Sequence, residues 1–121
     1  AWAATQAVDE WHGRKVVSVS GDGGFGQYMA EFTTAVKYGM DITHVLLNNN
    51  ELGKISKEQR AGQWPVWQTD LRNPDFAAYA RNCGGFGVRV EDPGDLPTAL
   101  AAALAHDGPA LVEIMVDSEL V

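Results

Sequence analysis

Basic residues are scarce in this 121-residue sequence, and cysteine occurs once. Nine Lys and Arg stand against sixteen Asp and Glu, which gives a formal net charge of -7 at pH 7. An acidic chain is poorly suited to bind nucleic acid or an anionic membrane surface, because both attract positive charge. The lone Cys83 has no partner for an internal disulfide, and we expect it to be a small core residue.

Long apolar runs are also missing. No stretch of the sequence reaches the roughly 20 residues of a membrane helix, and no charged and then apolar leader opens it, so we expect a cytoplasmic protein. The sequence starts without methionine, inside a helical pattern with no capping residue before it, which predicts a fragment of a longer protein. At 45% hydrophobic content, residues 1–121 can form one core but hardly two.

Apolar segments alternate with helical patterns along the sequence. Strands are predicted at residues 15–20, 41–47, 86–90 and 110–116, where β-branched and apolar residues cluster. Helices are predicted at residues 2–11, 25–36 and 54–60, from Asn73 (as N-cap) to Gly84, and from Leu96 to Leu104. This alternation predicts an α/β fold of three layers, a parallel sheet with helices on both faces.

Two polar motifs fall at the ends of the first two predicted strands. Gly21, Gly23 and Gly26 follow the first strand in the pattern G-x-G-x-x-G, which is a weak indication of a dinucleotide site. Such a site also needs an acidic residue at the end of the second strand, but that strand ends in three asparagines, residues 48–50. Moreover, the charge of Asp22 would repel a diphosphate bound at this loop.

A bridging divalent cation would resolve this repulsion. The Asp22 carboxylate and the Asn49 amide oxygen are hard ligands that suit magnesium or calcium. They are 49 − 22 = 27 positions apart, enough for one helix and a return strand, so both can reach the same edge of a parallel sheet. Taken singly, Asp22 could cap a helix and the asparagines could form a turn. Together they favour a metal and diphosphate site.

The loop and the asparagines together resemble the thiamine diphosphate motif, in which glycine-aspartate-glycine is followed by paired asparagines. The wider sequence is similar to the pyruvate oxidase and acetolactate synthase branch of that superfamily, through residues 21–59, NPDFAAYA and the carboxyl-terminal segment GVRVEDPGDLPTALAAALAHDGPALVEI. The resemblance implies the thiamine diphosphate-binding fold. It also implies that residues 1–121 are a carboxyl-terminal diphosphate-binding domain whose amino-terminal part and companion domains are absent.

The resemblance implies Mg²⁺ ligands at Asp22, Asn49 and the main-chain carbonyl of Glu51. Cofactor contacts are implied for the loop and for the residues after the asparagines: Gly21, Asp22, Gly23, Gly24, Asn49, Glu51, Leu52, Gly53 and Ile55. The diphosphate would lie against the N–H groups of Gly23 and Gly24. Lys54 departs from the family pattern, which has an aromatic residue or methionine there, and it could bind a substrate carboxylate or point to solvent.

As a whole, the resemblance implies a thiamine diphosphate- and Mg²⁺-dependent enzyme acting on pyruvate or a related 2-keto acid, as a homodimer or homotetramer. FAD is possible in the full-length enzyme. The glutamate that activates the cofactor belongs to another domain in this family, so no catalytic residue is assigned here and the isolated fragment is expected to be inactive. The alternatives are a non-catalytic cofactor-binding or assembly module of the same fold, or a dinucleotide-binding domain.

The resemblance gives no role to three histidines and two tryptophans of the sequence. His12, His44 and His106 are scattered along the sequence, so structural roles are favoured over a metal cluster. Trp64 and Trp67 could pack as anchors of an irregular segment or line a substrate channel, and the sequence does not decide between these roles.

Overall fold

A computed structural model describes residues 1–120, which fold around a parallel sheet. The strands are β1 (Val16–Gly21), β2 (Ile42–Asn48), β3 (Phe86–Val90) and β4 (Ala110–Met115). They lie in the order β1-β2-β4-β3, and every neighbouring pair is parallel. The helices are α1 (Trp2–Ala7), α2 (Asp22–Gly26), α3 (Glu31–Lys37), α4 (Gly53–Ala61), α5 (Phe76–Asn82) and α6 (Leu96–Ala105). Among residues 1–120, none of the helices has the length and apolar character needed to cross a bilayer.

Helices cover both faces of the sheet. Leu111 on β4 belongs to one apolar cluster, which also contains Phe25 of α2, Phe32 of α3 and Phe76 of α5. Its neighbours on β4, Ala110 and Val112, point the other way and pack with Ala99 and Ala103 of α6. Successive side chains of a strand alternate between faces, so one strand supplies both clusters. The predicted three-layer α/β architecture is confirmed.

The helix predicted over residues 25–36 is interrupted. The structure has α2 and α3 instead, joined by tight turns in which Tyr28 N–H donates to the Phe25 carbonyl (3.0 Å) and Glu31 N–H to the Tyr28 carbonyl (2.9 Å). The glycines of the loop have poor helix propensity, and α2 ends at Gly26. Phe25 and Phe32, two apolar residues of the predicted helix, are nevertheless buried in the same cluster.

Two predicted helix boundaries are wrong. Asn73 does not cap α5; Asp75 does, with its Oδ1 accepting from the Ala78 N–H at 2.6 Å. Either residue type caps well, and the local sequence did not show which one faces the helix. The first helix ends at Ala7, after which Asp9–Trp11 forms a separate 3₁₀ turn.

His44 on β2 has a structural environment. Its Nδ1 lies 2.5 Å from Ser18 Oγ and its Nε2 lies 2.9 Å from Ser20 Oγ, both on β1. The ring also contacts that of Phe25, with 4.7 Å between centroids. Burial lowers the pKa of His44 below its ordinary value of 6.5, because the charged imidazolium is less well solvated there.

This lowered pKa predicts an acid-sensitive contribution to stability. Neutral His44 stabilises the fold fully above pH 6.5, the pKa of the unfolded state. The contribution is lost as the pH falls from 6.5 toward the folded pKa, by up to about 1.4 kcal/mol per pH unit, since only the unfolded chain takes up the proton there. Urea unfolding between pH 7.5 and pH 5 should show a steeper loss in the wild type than in His44→Gln. The exposed His12→Gln is the control, and parallel curves for wild type and His44→Gln would contradict the prediction.

Candidate functional site

The two polar motifs meet at one edge of the sheet. β1 and β2 are direct neighbours, and their register pairs Gly21 with Leu47. Asp22 therefore starts α2 beside the end of β2, where Asn48 is the last residue of the strand. The predicted meeting of the glycine loop with the asparagines is what the structure shows, and it lies at the carboxyl ends of parallel strands, where α/β folds bind ligands.

Asp22 is a buried carboxylate that has no cationic partner among residues 1–120. The residue is 3% exposed to solvent. Oδ1 accepts a hydrogen bond from its neighbour, the Gly23 N–H, at 2.9 Å. Oδ2 accepts from the Asn50 N–H at 2.8 Å and from Asn73 Nδ2 at 2.6 Å. Within residues 1–120 it forms no ion pair with lysine, arginine or histidine. A buried negative charge normally requires a positive one nearby.

The segment after β2 is held by a short bridge to the segment before α5. Leu52 N–H donates to the Thr69 carbonyl, and Leu71 N–H donates to the Asn50 carbonyl, both at 2.7 Å. Asn50 takes a left-handed conformation with φ of 57°, which asparagine tolerates better than most residues. The backbone of residues 50–52 is thereby fixed opposite the glycine loop.

The Glu51 side chain is engaged away from Asp22. Its carboxylate accepts from the hydroxyl groups of Ser56 on α4 and Thr69, and it lies 3.8 Å from a guanidinium nitrogen of Arg60. Its own N–H donates to Asn49 Oδ1 at 3.0 Å. This arrangement agrees with the expectation that Glu51 would serve a metal through its carbonyl and not through its carboxylate. The ligand role itself stays a prediction.

Two adjoining cavities of about 250 and 290 Å³ open at this edge. Between them they are lined by every predicted site residue: Gly21, Asp22, Gly23, Gly24, Asn49, Glu51, Leu52, Gly53 and Ile55. Lys54 lines both cavities and is also exposed, so the two roles considered for it stay open. A larger apolar cavity of about 400 Å³ contains His44 and Trp2, but Gly24 is the one predicted site residue that it shares.

The oxygen atoms available as metal ligands at this edge suit a hard cation. A carboxylate offers about four acceptor positions, and three on Asp22 are taken by N–H donors, so one position remains for a metal. The described residues contain no cluster of three or more His, Cys, Asp or Glu that could hold a metal by themselves. A metal site at this edge would therefore have to combine one carboxylate with neutral amide and carbonyl oxygens, which are ligands that magnesium accepts.

Gly23 packs closely against the side chains of Leu52 and Leu71, which would have to move to admit a larger residue. A Cβ atom at this position would lie 2.6 Å from Leu52 Cδ2 and 3.4 Å from Leu71 Cδ1. The Gly23 N–H is already used by Asp22 Oδ1, so its predicted contact with a diphosphate would require that hydrogen bond to be shared or broken.

Sequence reasoning missed Asn73, whose side chain lies in the site and not at the end of α5. Its Nδ2 donates to Asp22 Oδ2 at 2.6 Å and to Asn48 Oδ1 at 3.0 Å. Because Asn73 is 51 positions from Asp22, no local pattern could have placed the two together. Trp64 and Trp67 are 68% and 72% exposed, so they are not buried packing anchors in the described chain.

Comparison with known proteins identifies the family. Residues 1–114 match the model of the thiamine pyrophosphate enzyme, C-terminal TPP binding domain, and the chain belongs to that family. It is 42% identical over 106 residues to the thiamine pyrophosphate-containing protein YdaP of Bacillus subtilis, a match that covers 88% of this chain and 18% of YdaP. It is 35% identical over 105 residues to an acetolactate synthase of the same organism, covering 87% of the chain and 18% of the synthase.

A solved structure shows the same fold. The benzoylformate decarboxylase of Polynucleobacter necessarius superposes with a TM-score of 0.86 at 24% identity, over 97% of this chain and 22% of the decarboxylase. The resemblance to thiamine diphosphate enzymes of the acetolactate synthase type is confirmed, and so is the fold. The chain spans about a fifth of the length of each of these proteins.

Proposed function

We propose that residues 1–121 form the carboxyl-terminal domain that binds the diphosphate of thiamine diphosphate through Mg²⁺. The observation that carries this proposal is the buried Asp22 carboxylate. It lacks a cationic partner within residues 1–120 and lines one cavity together with Asn49 and Glu51. Asp22, Asn49 and the Glu51 carbonyl would hold the ion. Family membership and the hard-oxygen donor set support this assignment.

The work of the chain's own residues is binding and orientation. The hydrogen bonds between residues 50–52 and 69–71 restrain the backbone around Glu51, and Asp22 and Asn49 directly follow the neighbouring strands β1 and β2. Leu52 and Ile55 would supply apolar contacts beside the diphosphate. When bound, thiamine diphosphate would supply two things: a carbanion as the nucleophile for a carbonyl carbon, and a cationic thiazolium ring as the acceptor of the electron pair left by loss of carbon dioxide.

For the complete protein we propose an enzyme that decarboxylates pyruvate or a related 2-keto acid and transfers or oxidises the two-carbon unit. The acetolactate synthases among its relatives support this reaction class. We further propose a cytoplasmic homodimer or homotetramer, with FAD as an optional cofactor of the full-length enzyme. No residue within 1–121 is proposed to act on the reacting atoms.

The reaction is tested with the protein at the full length that its gene encodes. We expect carbon dioxide release from pyruvate when thiamine diphosphate and Mg²⁺ are both present, with ferricyanide or a second pyruvate as acceptor of the two-carbon unit. The control is the same protein after the metal has been removed with EDTA, which should release none. Cofactor binding without turnover of any 2-keto acid would favour the non-catalytic module, and NADH binding independent of Mg²⁺ would favour the dinucleotide site.

A further inference from the structure

A chain of hydrogen-bonded polar side chains runs from Asp22 into the core of the sheet. Asn73 Nδ2 donates to Asp22 Oδ2 at 2.6 Å and to Asn48 Oδ1 at 3.0 Å. Asn48 Nδ2 in turn donates to Glu113 Oε1 at 2.7 Å. We call Asp22, Asn73, Asn48 and Glu113 the polar chain. It links the candidate metal ligand on α2 to β2, to the segment before α5 and to β4.

The far end of the polar chain is a fully buried carboxylate. Glu113 is 0% exposed and Asn48 is 1% exposed. Glu113 Oε2 accepts from the Ala77 N–H of α5 at 3.1 Å, and Arg89 Nη1 lies 3.3 Å from Oε1. Its neighbours on β4 are apolar, so packing alone would favour a hydrophobic residue here. Burying a carboxylate is costly even when it is paired, and this cost calls for a role beyond packing.

The carboxylate determines which way both asparagine amides point. An ionised glutamate can only accept hydrogen bonds, so Asn48 must turn its NH₂ group toward Glu113. The side-chain oxygen of Asn48, Oδ1, then faces the site. It accepts hydrogen bonds from the Asn50 N–H at 3.1 Å and from Asn73 Nδ2. Because Asn48 presents an oxygen to Asn73, the Asn73 NH₂ group is fixed toward both Asn48 and Asp22. The Asp22 carboxylate therefore accepts a hydrogen bond from Asn73 and does not face the Asn73 side-chain oxygen.

We propose that Asn73, Asn48 and Glu113 are positioning residues that orient the Asp22 carboxylate for the divalent cation. This inference rests on the proposed function. Hydrogen bonds to a ligating carboxylate fix its direction, and their loss typically weakens metal binding by about 10- to 100-fold. The polar chain holds Asp22 Oδ2 through Asn73, while the Asn50 and Gly23 amides hold it from the backbone.

The test measures Mg²⁺ binding to the full-length protein by calorimetry with saturating thiamine diphosphate. We expect Asn73→Ala to raise the Mg²⁺ dissociation constant by about 10- to 100-fold, with a broadened electron paramagnetic resonance spectrum when Mn²⁺ replaces Mg²⁺. Glu113→Gln should also weaken binding, because one end of its amide is a donor and conflicts with Asn48 or with Ala77. The matched control is Asn82→Ala, an exposed asparagine at the end of α5.

The outcomes separate this inference from the function on which it rests. If Asp22→Ala binds Mg²⁺ like the wild type, the proposed function fails. If Asp22→Ala loses binding while Asn73→Ala and Glu113→Gln both keep the wild-type dissociation constant, the positioning role fails, even where those variants melt at a lower temperature. Should Glu113→Gln not fold, Asn73→Ala decides alone, because Asn73 is only half-buried and lies in a loop.

Discussion

Replacing Asp22 by alanine is expected to weaken Mg²⁺ binding in the presence of thiamine diphosphate by more than about 100-fold. Loss of a residue that merely orients a ligand costs about 10- to 100-fold, and Asp22 is the one charged ligand proposed for this ion. Because the metal would link the protein to the diphosphate, cofactor binding should weaken together with metal binding. A cofactor at about 100 times its dissociation constant stabilises its protein by about 2.7 kcal/mol, so the thermal shift produced by cofactor and metal should disappear as well.

Asp107→Ala is the matched control for this experiment. It removes the same charge from an exposed position outside the site, and calorimetry should give wild-type affinity for it. The decisive comparison is the melting temperature with and without thiamine diphosphate plus Mg²⁺. A full thermal shift retained by Asp22→Ala would show that the metal is bound elsewhere or that the diphosphate needs no metal bridge.

The sequence contained enough to predict where the site would lie. Gly21 follows one predicted strand and Asn48 follows the next, and parallel strands joined by one helix bring their carboxyl ends together. The awkward charge of Asp22 within a glycine loop indicated a cation, and the structure adds that this charge is buried and unpaired within the described residues. The position of the site could thus be predicted from the chain topology, and its need for a cation from the chemistry of Asp22.

The support behind the site could not be predicted in the same way. Glu113 stands in an apolar run, ALVEIM, and its partners Asn48 and Arg89 are 65 and 24 positions away. Asn73 and Asp75 flank a proline before a helix, and each has the chemistry of an N-cap. Which of them caps α5 depends on Asp22 and Asn48 across the fold, because those residues bind the side chain of Asn73. Hydrogen bonds between residues distant in sequence therefore determine that Asp75, and not Asn73, caps α5.

Gly87 on β3 is the position where a single methyl group should cost the most stability. A Cβ atom there would lie 2.1 Å from the Ala77 carbonyl oxygen and 2.9 Å from its carbonyl carbon. These are backbone atoms of α5, so no rotamer change relieves the clash and the helix itself must move. We expect Gly87→Ala to lower the free energy of unfolding by about 3 kcal/mol, the upper end for overpacking a well-packed interior.

The displaced helix should affect the site as well as the fold. Ala77 N–H donates to Glu113 Oε2, so a shift of α5 pulls on the buried end of the polar chain. Urea unfolding of Gly87→Ala should be compared with Gly26→Ala, where a Cβ meets nothing within 4 Å and the change in α2 should be neutral or stabilising by up to about 1 kcal/mol. If Gly87→Ala unfolds at the wild-type urea concentration, α5 can withdraw from β3 freely. In that case the hydrogen bond from α5 does not hold the Glu113 carboxylate rigidly. Arg89 would then be the remaining group that fixes Glu113, and through it Asn48.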